Sequence, residues 1–257
     1  MEAQARPIGV FDSGLGGISV LRACVRLLPQ ENFLFFGDSA NAPYGEKSLD
    51  QVRALTLSAV DRLLAQGVKG IVVACNTATS AAIGLLRQLH PGLPIIGIEP
   101  AVKPAALAAG SSSVIVMATP LTIREDKYQK LAAAFCGHAN VISLPCKGLA
   151  EMVEQGIFDG PVLDAYLQDL LLPFRYCNID YIVLGCTHYP FVRKAIARNF
   201  GRPVSIIDGS EGTARQLRRQ LEAASLLTDR TGFGTVTFQN SRPDKLAMSQ
   251  TLFQMKY

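Results

Sequence analysis

The stretch that decides the fold is residues 70–79, which read Gly70-Ile71-Val72-Val73-Ala74-Cys75-Asn76-Thr77-Ala78-Thr79. Its first five residues form a continuous apolar run, which is typical of a strand buried on both faces of a parallel sheet. The run ends at Cys75, and the small polar residues that follow are typical of a helix start. The stretch therefore predicts a buried strand that delivers a cysteine to the amino end of a helix.

A second stretch repeats this design later in the chain. Residues 181–190 read Tyr181-Ile182-Val183-Leu184-Gly185-Cys186-Thr187-His188-Tyr189-Pro190. Cys75 and Cys186 lie 111 positions apart. Other landmarks keep nearly this spacing: Asp12 and Thr119 at 107, Phe33 and Val141 at 108, and Ile95 and Val204 at 109. The near-constant spacing indicates two copies of one α/β unit.

Apolar runs that alternate with helical patterns predict the order of the strands. They lie at residues 8–11, 33–36, 70–74, 95–98, 114–117, 141–144, 181–185 and 204–207. Continuous apolar strands joined by helices indicate parallel sheets covered on both faces. We therefore predict an α/β protein with two pseudo-symmetric, doubly wound parallel-sheet domains and an active site in the cleft between them.

The domain boundaries follow from the repeat. The first domain is expected to combine residues 1–98 with a C-terminal segment, residues 209–257, that packs back onto it. The second domain is expected to span residues 99–208. Ligands of open α/β sheets bind beyond the carboxyl ends of the strands, which would place Cys75 and Cys186 on opposite walls of one cleft.

The composition argues against several classes of protein. Hydrophobic residues make up 49% and charged residues 18% of the 257 positions, and no apolar run reaches the ~20 residues that a membrane span needs. The N-terminal residues lack the apolar core of a signal peptide, so we expect a cytoplasmic protein with no membrane partner. The net charge of +4 comes from scattered residues, which predicts no nucleic-acid partner.

The six cysteines, at positions 24, 75, 136, 146, 177 and 186, include no Cys-x-x-Cys pair. We expect free thiols, with Cys24, Cys136 and Cys177 as small buried hydrophobic side chains. No second Cys/His cluster supplies the remaining ligands of a metal site. Nothing singles out the Schiff-base lysine and phosphate cup of a pyridoxal cofactor. We therefore predict neither a metal nor a cofactor.

Paired thiols at strand ends suit a particular chemistry. Free N–H groups and the positive dipole end at a helix start lower the pKa of a thiol there. Thiols on opposite faces of a chiral carbon can invert it, because one thiolate removes a proton and the other thiol returns one. A hydrolase needs one nucleophile and a differently built partner, which two near-equivalent cysteines match less well.

The residues around the thiols favour an amino acid as substrate. Asn76, Thr77 and Thr187 offer hydrogen-bond donors to a carboxylate. Asp12 is a candidate partner for an ammonium group. His188 could orient or assist the neighbouring thiol.

The chain resembles the glutamate racemases of the aspartate/glutamate racemase family, cofactor-independent enzymes that make D-glutamate for bacterial peptidoglycan. The matching segments are residues 8–17 (IGVFDSGLGG), 37–45 (GDSANAPYG), 73–79 (VACNTAT), 97–101 (GIEPA), 119–120 (TP), 185–190 (GCTHYP) and 208–214 (DGSEGTA). These ordered motifs span about residues 8–214. The resemblance implies racemisation of L-glutamate and D-glutamate, with glutamate as the small-molecule partner and no cofactor.

The resemblance also implies roles for individual residues. It implies Cys75 and Cys186 as the two acid/base residues. It implies Asp12 and His188 as supporting groups beside them. It implies substrate contacts from Asp12, Ser13, Pro43, Tyr44, Gly45, Asn76, Thr77, Thr187 and His188. Glu154 stands where the family often has an acidic residue near the site.

Several alternatives stay open at this point. A related racemase that acts on aspartate, or a non-catalytic amino-acid-binding module with the same cleft, would share much of this pattern. Asp12 could be only a helix cap, His188 a structural histidine and Tyr44 a packing residue. Lys147 departs from the proline that the family often has there, a change that bears on one loop. The oligomeric state is open, with a homodimer as one option.

Overall fold

A computed structural model describes residues 3–110 and 112–255. The chain divides into two compact units. The first unit combines the residues up to Glu99 with the segment that begins at Ser210, and the second unit is Pro100–Gly209. In this described part of the chain, no helix has both the length and the apolar composition needed to cross a membrane.

Strands and helices alternate along the chain. The strands are β1 (Ile8–Asp12), β2 (Phe33–Gly37), β3 (Gly70–Val73), β4 (Ile95–Gly97), β5 (Ser113–Ala118), β6 (Asn140–Pro145), β7 (Ile179–Leu184), β8 (Ser205–Asp208) and β9 (Val236–Asn240). The α-helices are α1 (Ile18–Leu27), α2 (Leu49–Leu64), α3 (Asn76–Leu89), α4 (Val102–Ala109), α5 (Pro120–Arg124), α6 (Asp126–Phe135), α7 (Leu149–Glu154), α8 (Pro161–Leu171), α9 (Arg193–Phe200), α10 (Ser210–Ala223) and α11 (Leu246–Gln254).

The first unit is built on a parallel sheet. Over the residues that the structure describes, its strand order is β4-β3-β1-β2-β9, and every neighbouring pair is parallel. β1 lies at the centre, and all of its residues are buried. A central strand of a parallel sheet is covered on both faces, which explains the continuous apolar run at residues 8–11.

The start and the end of α2 follow from its local sequence. Ser48 accepts a hydrogen bond from the N–H of Gln51, and the Gln51 side chain accepts one from the N–H of Ser48. These two reciprocal bonds form a capping box. Gly67 lies just beyond α2 with a φ of +72°, a left-handed conformation that favours glycine after a helix.

The C-terminal segment completes the first unit. β9 pairs in parallel with β2, with Phe33 opposite Val236. α10 packs against α1, and α11 packs against β9 and α1. The aromatic rings of Phe35 and Phe253 both contact Phe238 on β9. The edge of the sheet beside β2 is thus covered by a strand that is distant in sequence.

The second unit repeats the order of the first. Its described strands follow the order β8-β7-β5-β6, all parallel, and correspond one by one to β4-β3-β1-β2. Its core includes Val102, Ala105, Ala106, Val114, Val116, Tyr128 and Val183. The prediction of two parallel-sheet α/β domains is therefore confirmed, and the internal repeat read from the sequence is visible in the strand order.

Two cysteines that we expected in the core lie at the surface. Cys24 is buried, and its burial raises the pKa of its thiol to about 12. Cys136 and Cys177 are exposed. Cys136 follows the end of α6, and Cys177 lies in the connection that precedes β7. The prediction is wrong for these two cysteines because they lie in connections and not on the apolar face of an element.

A buried ion pair ties distant segments of the first unit together. Lys69 Nζ lies 2.5 Å from Glu31 Oε2, and the two side chains are 1% and 2% exposed. Lys69 Nζ also donates to the carbonyl oxygen of Gln4 at 2.6 Å. Glu31 Oε1 accepts a hydrogen bond from the N–H of Thr228 at 2.8 Å. The pair therefore links both terminal segments to the sheet.

We expect Glu31→Gln to lower the free energy of unfolding by about 3–5 kcal/mol, because it leaves the Lys69 ammonium buried without a counter-charge. Urea denaturation measures the loss. Glu222→Gln is the matched control, since it breaks an ion pair with Arg218 in which both side chains are about half exposed. Its loss should stay below about 1 kcal/mol. Equal, small losses in the two variants would contradict a stabilising role for the buried pair.

Candidate active site

Cys75 lies where β3 ends and α3 begins. It is the N-cap of α3, and its Sγ accepts a hydrogen bond from the N–H of Ala78 at 3.4 Å. The residue is 5% exposed. The thiol thus occupies the predicted position at a helix start, where the N–H groups and the helix dipole favour its deprotonated form.

The turn after β1 brings two polar side chains to this thiol. Ser13 Oγ lies 3.3 Å from Cys75 Sγ. Asp12 is fully buried, and its Oδ1 accepts a hydrogen bond from the N–H of Gly14 at 2.9 Å. A Cβ atom on Gly17 would lie 2.4 Å from Cβ of Asp12, so only glycine allows α1 to begin this close to the carboxylate.

Asn76 carries a buried amide that no described residue pairs with. The residue is 4% exposed, and neither Nδ2 nor Oδ1 has a hydrogen-bond partner among the residues described. Leaving a buried polar group unpaired costs about 1–3 kcal/mol. Thr77, the next residue, is 3% exposed. A buried amide without a partner, directly after Cys75, is what a site for a polar ligand requires.

The loop after β2 is held by an aspartate. Asp38 Oδ2 accepts a hydrogen bond from the hydroxyl of Tyr44 at 2.8 Å, and both of its carboxylate oxygens accept from Nδ2 of Asn41. Burial, the Asp38 carboxylate, and then Cys75 and Asp12 raise the pKa of Tyr44 far above its ordinary value. The Tyr44 hydroxyl therefore remains a hydrogen-bond donor, and it lies near the Cys75 thiol and the Asp12 carboxylate.

The remaining residues of this loop lie beside Tyr44. The peptide bond between Ala42 and Pro43 is cis, Gly45 is buried, and Pro43 is half-buried. Sequence reasoning recognised the loop as a motif but missed the part that Asp38 plays. The signal was present, because Asp38 directly follows a buried strand and precedes a tyrosine by six positions.

Cys186 has different surroundings from Cys75. It is 8% exposed and follows β7, but the residues after it form a turn and then a short 3₁₀ helix, Tyr189–Val192, before α9 begins. The helix that we expected after the polar residues Thr187 and His188 begins as this 3₁₀ turn, so Cys186, unlike Cys75, is not the N-cap of an α-helix. Pro190 lies at the start of the 3₁₀ helix, where the fixed φ of proline suits a first helical turn.

A histidine and a glutamate extend from this second thiol. Nδ1 of His188 lies 3.6 Å from Sγ of Cys186, and Nε2 of His188 lies 2.7 Å from Oε1 of Glu154. Burial opposes the charged imidazolium, but the hydrogen bonds to Cys186 and Glu154 outweigh burial and raise the pKa of His188 well above its ordinary value. These two contacts link Cys186, His188 and Glu154 in a continuous series, which we call the relay.

Two further residues lie next to this relay. Burial, and then the nearby Cys186, raise the pKa of the Cys146 thiol far above its ordinary value, so Cys146 stays protonated. Thr187 is 3% exposed and lies between the thiol and the imidazole in sequence. Within residues 3–110 and 112–255, no group of three or more His, Cys, Asp or Glu side chains is arranged to hold a metal ion.

The two buried thiols have different neighbours. At Cys75 the helix N-terminus and a neutral hydroxyl act on the thiol. At Cys186 an imidazole that is itself hydrogen-bonded to a carboxylate acts on the thiol. A thiol, an imidazole and a carboxylate in series could also serve a nucleophile. A second buried cysteine at the equivalent place after β3 fits a pair of acid/base groups better.

Comparison with known proteins gives a family and close relatives. The profile of a family described as Asp/Glu/Hydantoin racemase matches residues 8–217. The chain is 48% identical over 258 residues to a glutamate racemase of Clostridium botulinum (strain Hall), and 100% of both proteins is covered.

Solved structures of glutamate racemases have a fold similar to that of this chain. The fold is similar to that of a glutamate racemase from Thermus thermophilus in complex with β-chloro-D-alanine, at 37% identity and a TM-score of 0.81, covering 98% of this chain and 94% of that one. It is also similar to a glutamate racemase from Francisella tularensis in complex with D-glutamate, at 29% identity and a TM-score of 0.83, covering 98% and 95%.

We expect Glu154→Gln to lower the pKa of His188, because the substitution removes a negative charge that favours the imidazolium. The folded protein should therefore lose the imidazolium proton at a lower pH than the parent does. Proton NMR titration of the three histidines measures the change. His90 and His138 serve as internal controls with unaltered titration. An unchanged His188 titration would show that Glu154 does not contact the ring in solution.

Proposed function

The chain belongs to the Asp/Glu/Hydantoin racemase family, and from this premise we propose that it is a glutamate racemase that interconverts L-glutamate and D-glutamate. The resemblance read from the sequence, and the predicted enzyme class of isomerase, are confirmed by the family match. The identity of 48% over the full length of a glutamate racemase supports glutamate as the substrate. The likeness to a racemase in complex with D-glutamate supports it further.

One observation carries the proposal. β3 and β7 occupy equivalent places in the two strand orders, and each delivers a buried cysteine at its carboxyl end. Equivalent thiols from two copies of one unit suit a reaction that runs in both directions over mirror-image substrates. A single nucleophile would need only one of them.

In the proposed mechanism, one thiolate removes the α-proton of glutamate and the other thiol donates its proton to the opposite face of the carbon. The product has the opposite configuration. The first cysteine then holds the proton that the substrate lost, and the second is left as a thiolate. The reverse reaction exchanges the two roles. Cys75 and Cys186 are the proposed pair, and the mechanism uses no cofactor.

The neighbours of each thiol have proposed roles in this scheme. The start of α3 favours the thiolate of Cys75, and Ser13 accepts a hydrogen bond from the protonated thiol. His188, supported by Glu154, exchanges a proton with Cys186. The two thiols thus work in unlike surroundings, and each is matched to one enantiomer.

The polar groups around the thiols have proposed contacts with the substrate. Asn76 directs its unpaired amide to a substrate carboxylate, and Asp12 binds the ammonium group. Further contacts come from Ser13, Pro43, Tyr44, Gly45, Thr77, Thr187 and His188. We place the enzyme in the cytoplasm, where it supplies D-glutamate for peptidoglycan.

Removal of either thiol should separate proton abstraction from racemisation. Cys75→Ala and Cys186→Ala should each lower kcat for racemisation at least about 100-fold, the lower range of what a general acid or base contributes. Some exchange of the α-proton with buffered D₂O should remain for only one enantiomer of glutamate in each variant. The enantiomer that exchanges in Cys75→Ala should differ from the one that exchanges in Cys186→Ala. NMR loss of the α-proton signal and chiral chromatography measure the two outcomes.

The control for these variants is Cys136→Ala, which removes an exposed cysteine outside both half-sites and should leave activity unchanged. Full racemisation by Cys75→Ala would contradict the two-thiol mechanism. A parent protein that binds glutamate but neither exchanges its α-proton nor produces the D-enantiomer would instead be an amino-acid-binding module.

The substrate is tested by assaying glutamate and aspartate side by side. We expect kcat/KM to be higher for glutamate. A higher value for aspartate would reassign the substrate within the same family.

A thiol alkylator should also inactivate the enzyme, and saturating glutamate should slow this inactivation because the substrate covers the reactive thiols. Absence of protection would place the reactive thiol outside the proposed site.

A further inference from the structure

The position of Glu154 depends on a short helix and on the residues that precede it. α7 has only six residues, and Glu154 is the last of them. Its N-cap, Gly148, has a φ of +86°, and no side chain in the described part of the chain caps the helix. So short a helix is not stable by itself. It is held by the packing of its buried residues Leu149, Ala150 and Val153, and its direction is set by residues 146–148, which we call the β6–α7 connection.

Tyrosine hydroxyls hold consecutive carbonyl groups of this connection. The hydroxyl of Tyr189 donates to the carbonyl oxygen of Cys146 at 3.2 Å. The hydroxyl of Tyr166, on α8, donates to the carbonyl oxygen of Lys147 at 3.0 Å. We call these two side chains the tyrosine clamp. Holding two successive carbonyls sets both the position and the direction of the chain as it enters α7.

The clamp reaches both ends of the contact between Glu154 and His188. Tyr189 directly follows His188 in sequence, so its anchored ring also restrains the histidine. From this arrangement we propose that Tyr166 and Tyr189 are positioning residues that set the contact between Glu154 and His188. The inference rests on the proposed function, in which this relay assists Cys186.

The chemistry of the two hydroxyls suits a permanent clamp. Burial, then Cys146 and Glu151, raise the pKa of Tyr166 above its ordinary value. Burial, then Cys146 and Cys186, raise the pKa of Tyr189 well above its ordinary value. Both hydroxyls therefore stay protonated and donate throughout the working pH range.

The contact that the clamp sets is sensitive to small shifts. The separation of 2.7 Å between Nε2 and Oε1 is that of a charge-assisted hydrogen bond. A displacement of α7 by about 1 Å would break it, and a misplacement of that size can lower a rate by about 100-fold. Loss of one hydroxyl, with the other still in place, should have a smaller effect.

Tyr166→Phe tests the proposal, because it removes a half-buried hydroxyl and keeps the ring. We expect kcat to fall about 10-fold with little change in KM. We also expect the pKa of His188, measured by proton NMR, to fall in the same direction as in Glu154→Gln. The NMR readout needs no turnover, so it tests the positioning role even if the protein proves not to racemise glutamate.

A double-mutant cycle separates positioning from a general loss of packing. If the clamp acts through Glu154, Tyr166→Phe should change neither kcat nor the His188 titration further in the Glu154→Gln background. The matched control is Tyr128→Phe in the same unit. Tyr128 is 2% exposed, and its hydroxyl is hydrogen-bonded to Ser143 Oγ at 2.6 Å, away from the relay. This control should keep the parent kcat and His188 titration.

Tyr189→Phe provides a second test of the clamp and should lower the pKa of His188 as well. Because Tyr189 is fully buried, its variant is first compared with Tyr128→Phe for folding by circular dichroism. Additive effects of Tyr166→Phe and Glu154→Gln would overturn the proposal. A His188 titration in Tyr166→Phe that matches the Tyr128→Phe control would overturn it too.

Discussion

The common edge of a parallel sheet is the constraint on which this protein depends. Parallel strands end at the same edge, and the chain there has yet to enter the helix that follows. Asp12, Asp38 and Cys75 come together because they follow neighbouring strands of the first sheet. Cys146 and Cys186 lie near each other in the second unit because they follow the two strands, β6 and β7, that flank β5. The chemistry of each half is therefore a direct result of strand order.

The sequence was sufficient for the features that depend on local pattern. The apolar runs and the spacing of the repeat predicted two parallel α/β domains, and the strand that ends before Cys75 led to the N-cap observed there. The same pattern after Cys186 leads instead to a proline-containing 3₁₀ turn that precedes α9, a difference that the sequence pattern did not predict. Two sequences that look alike at a cysteine can thus present the thiol in different ways.

Features that join distant residues could not be predicted in this way. Glu154 lies 34 positions from His188, and no local pattern indicates that they meet at 2.7 Å. The resemblance to a family suggested the acidic residue, but not its partner. The contact between Tyr166 and the carbonyl of Lys147 has no signal in the sequence either. Such contacts depend on the packing of helices, which periodicity reports only as an apolar face.

The unpaired amide of Asn76 has a consequence for how the protein evolves and responds to ligands. The described residues supply no hydrogen bond to this buried amide, so the amide contributes no intramolecular hydrogen bond to the stability of the fold. A ligand that pairs with this amide binds more tightly, and its binding stabilises the folded state by mass action. An apolar residue of similar shape at this position would make the free protein more stable and the site poorer. Selection for function therefore maintains a local weakness that selection for stability alone would remove.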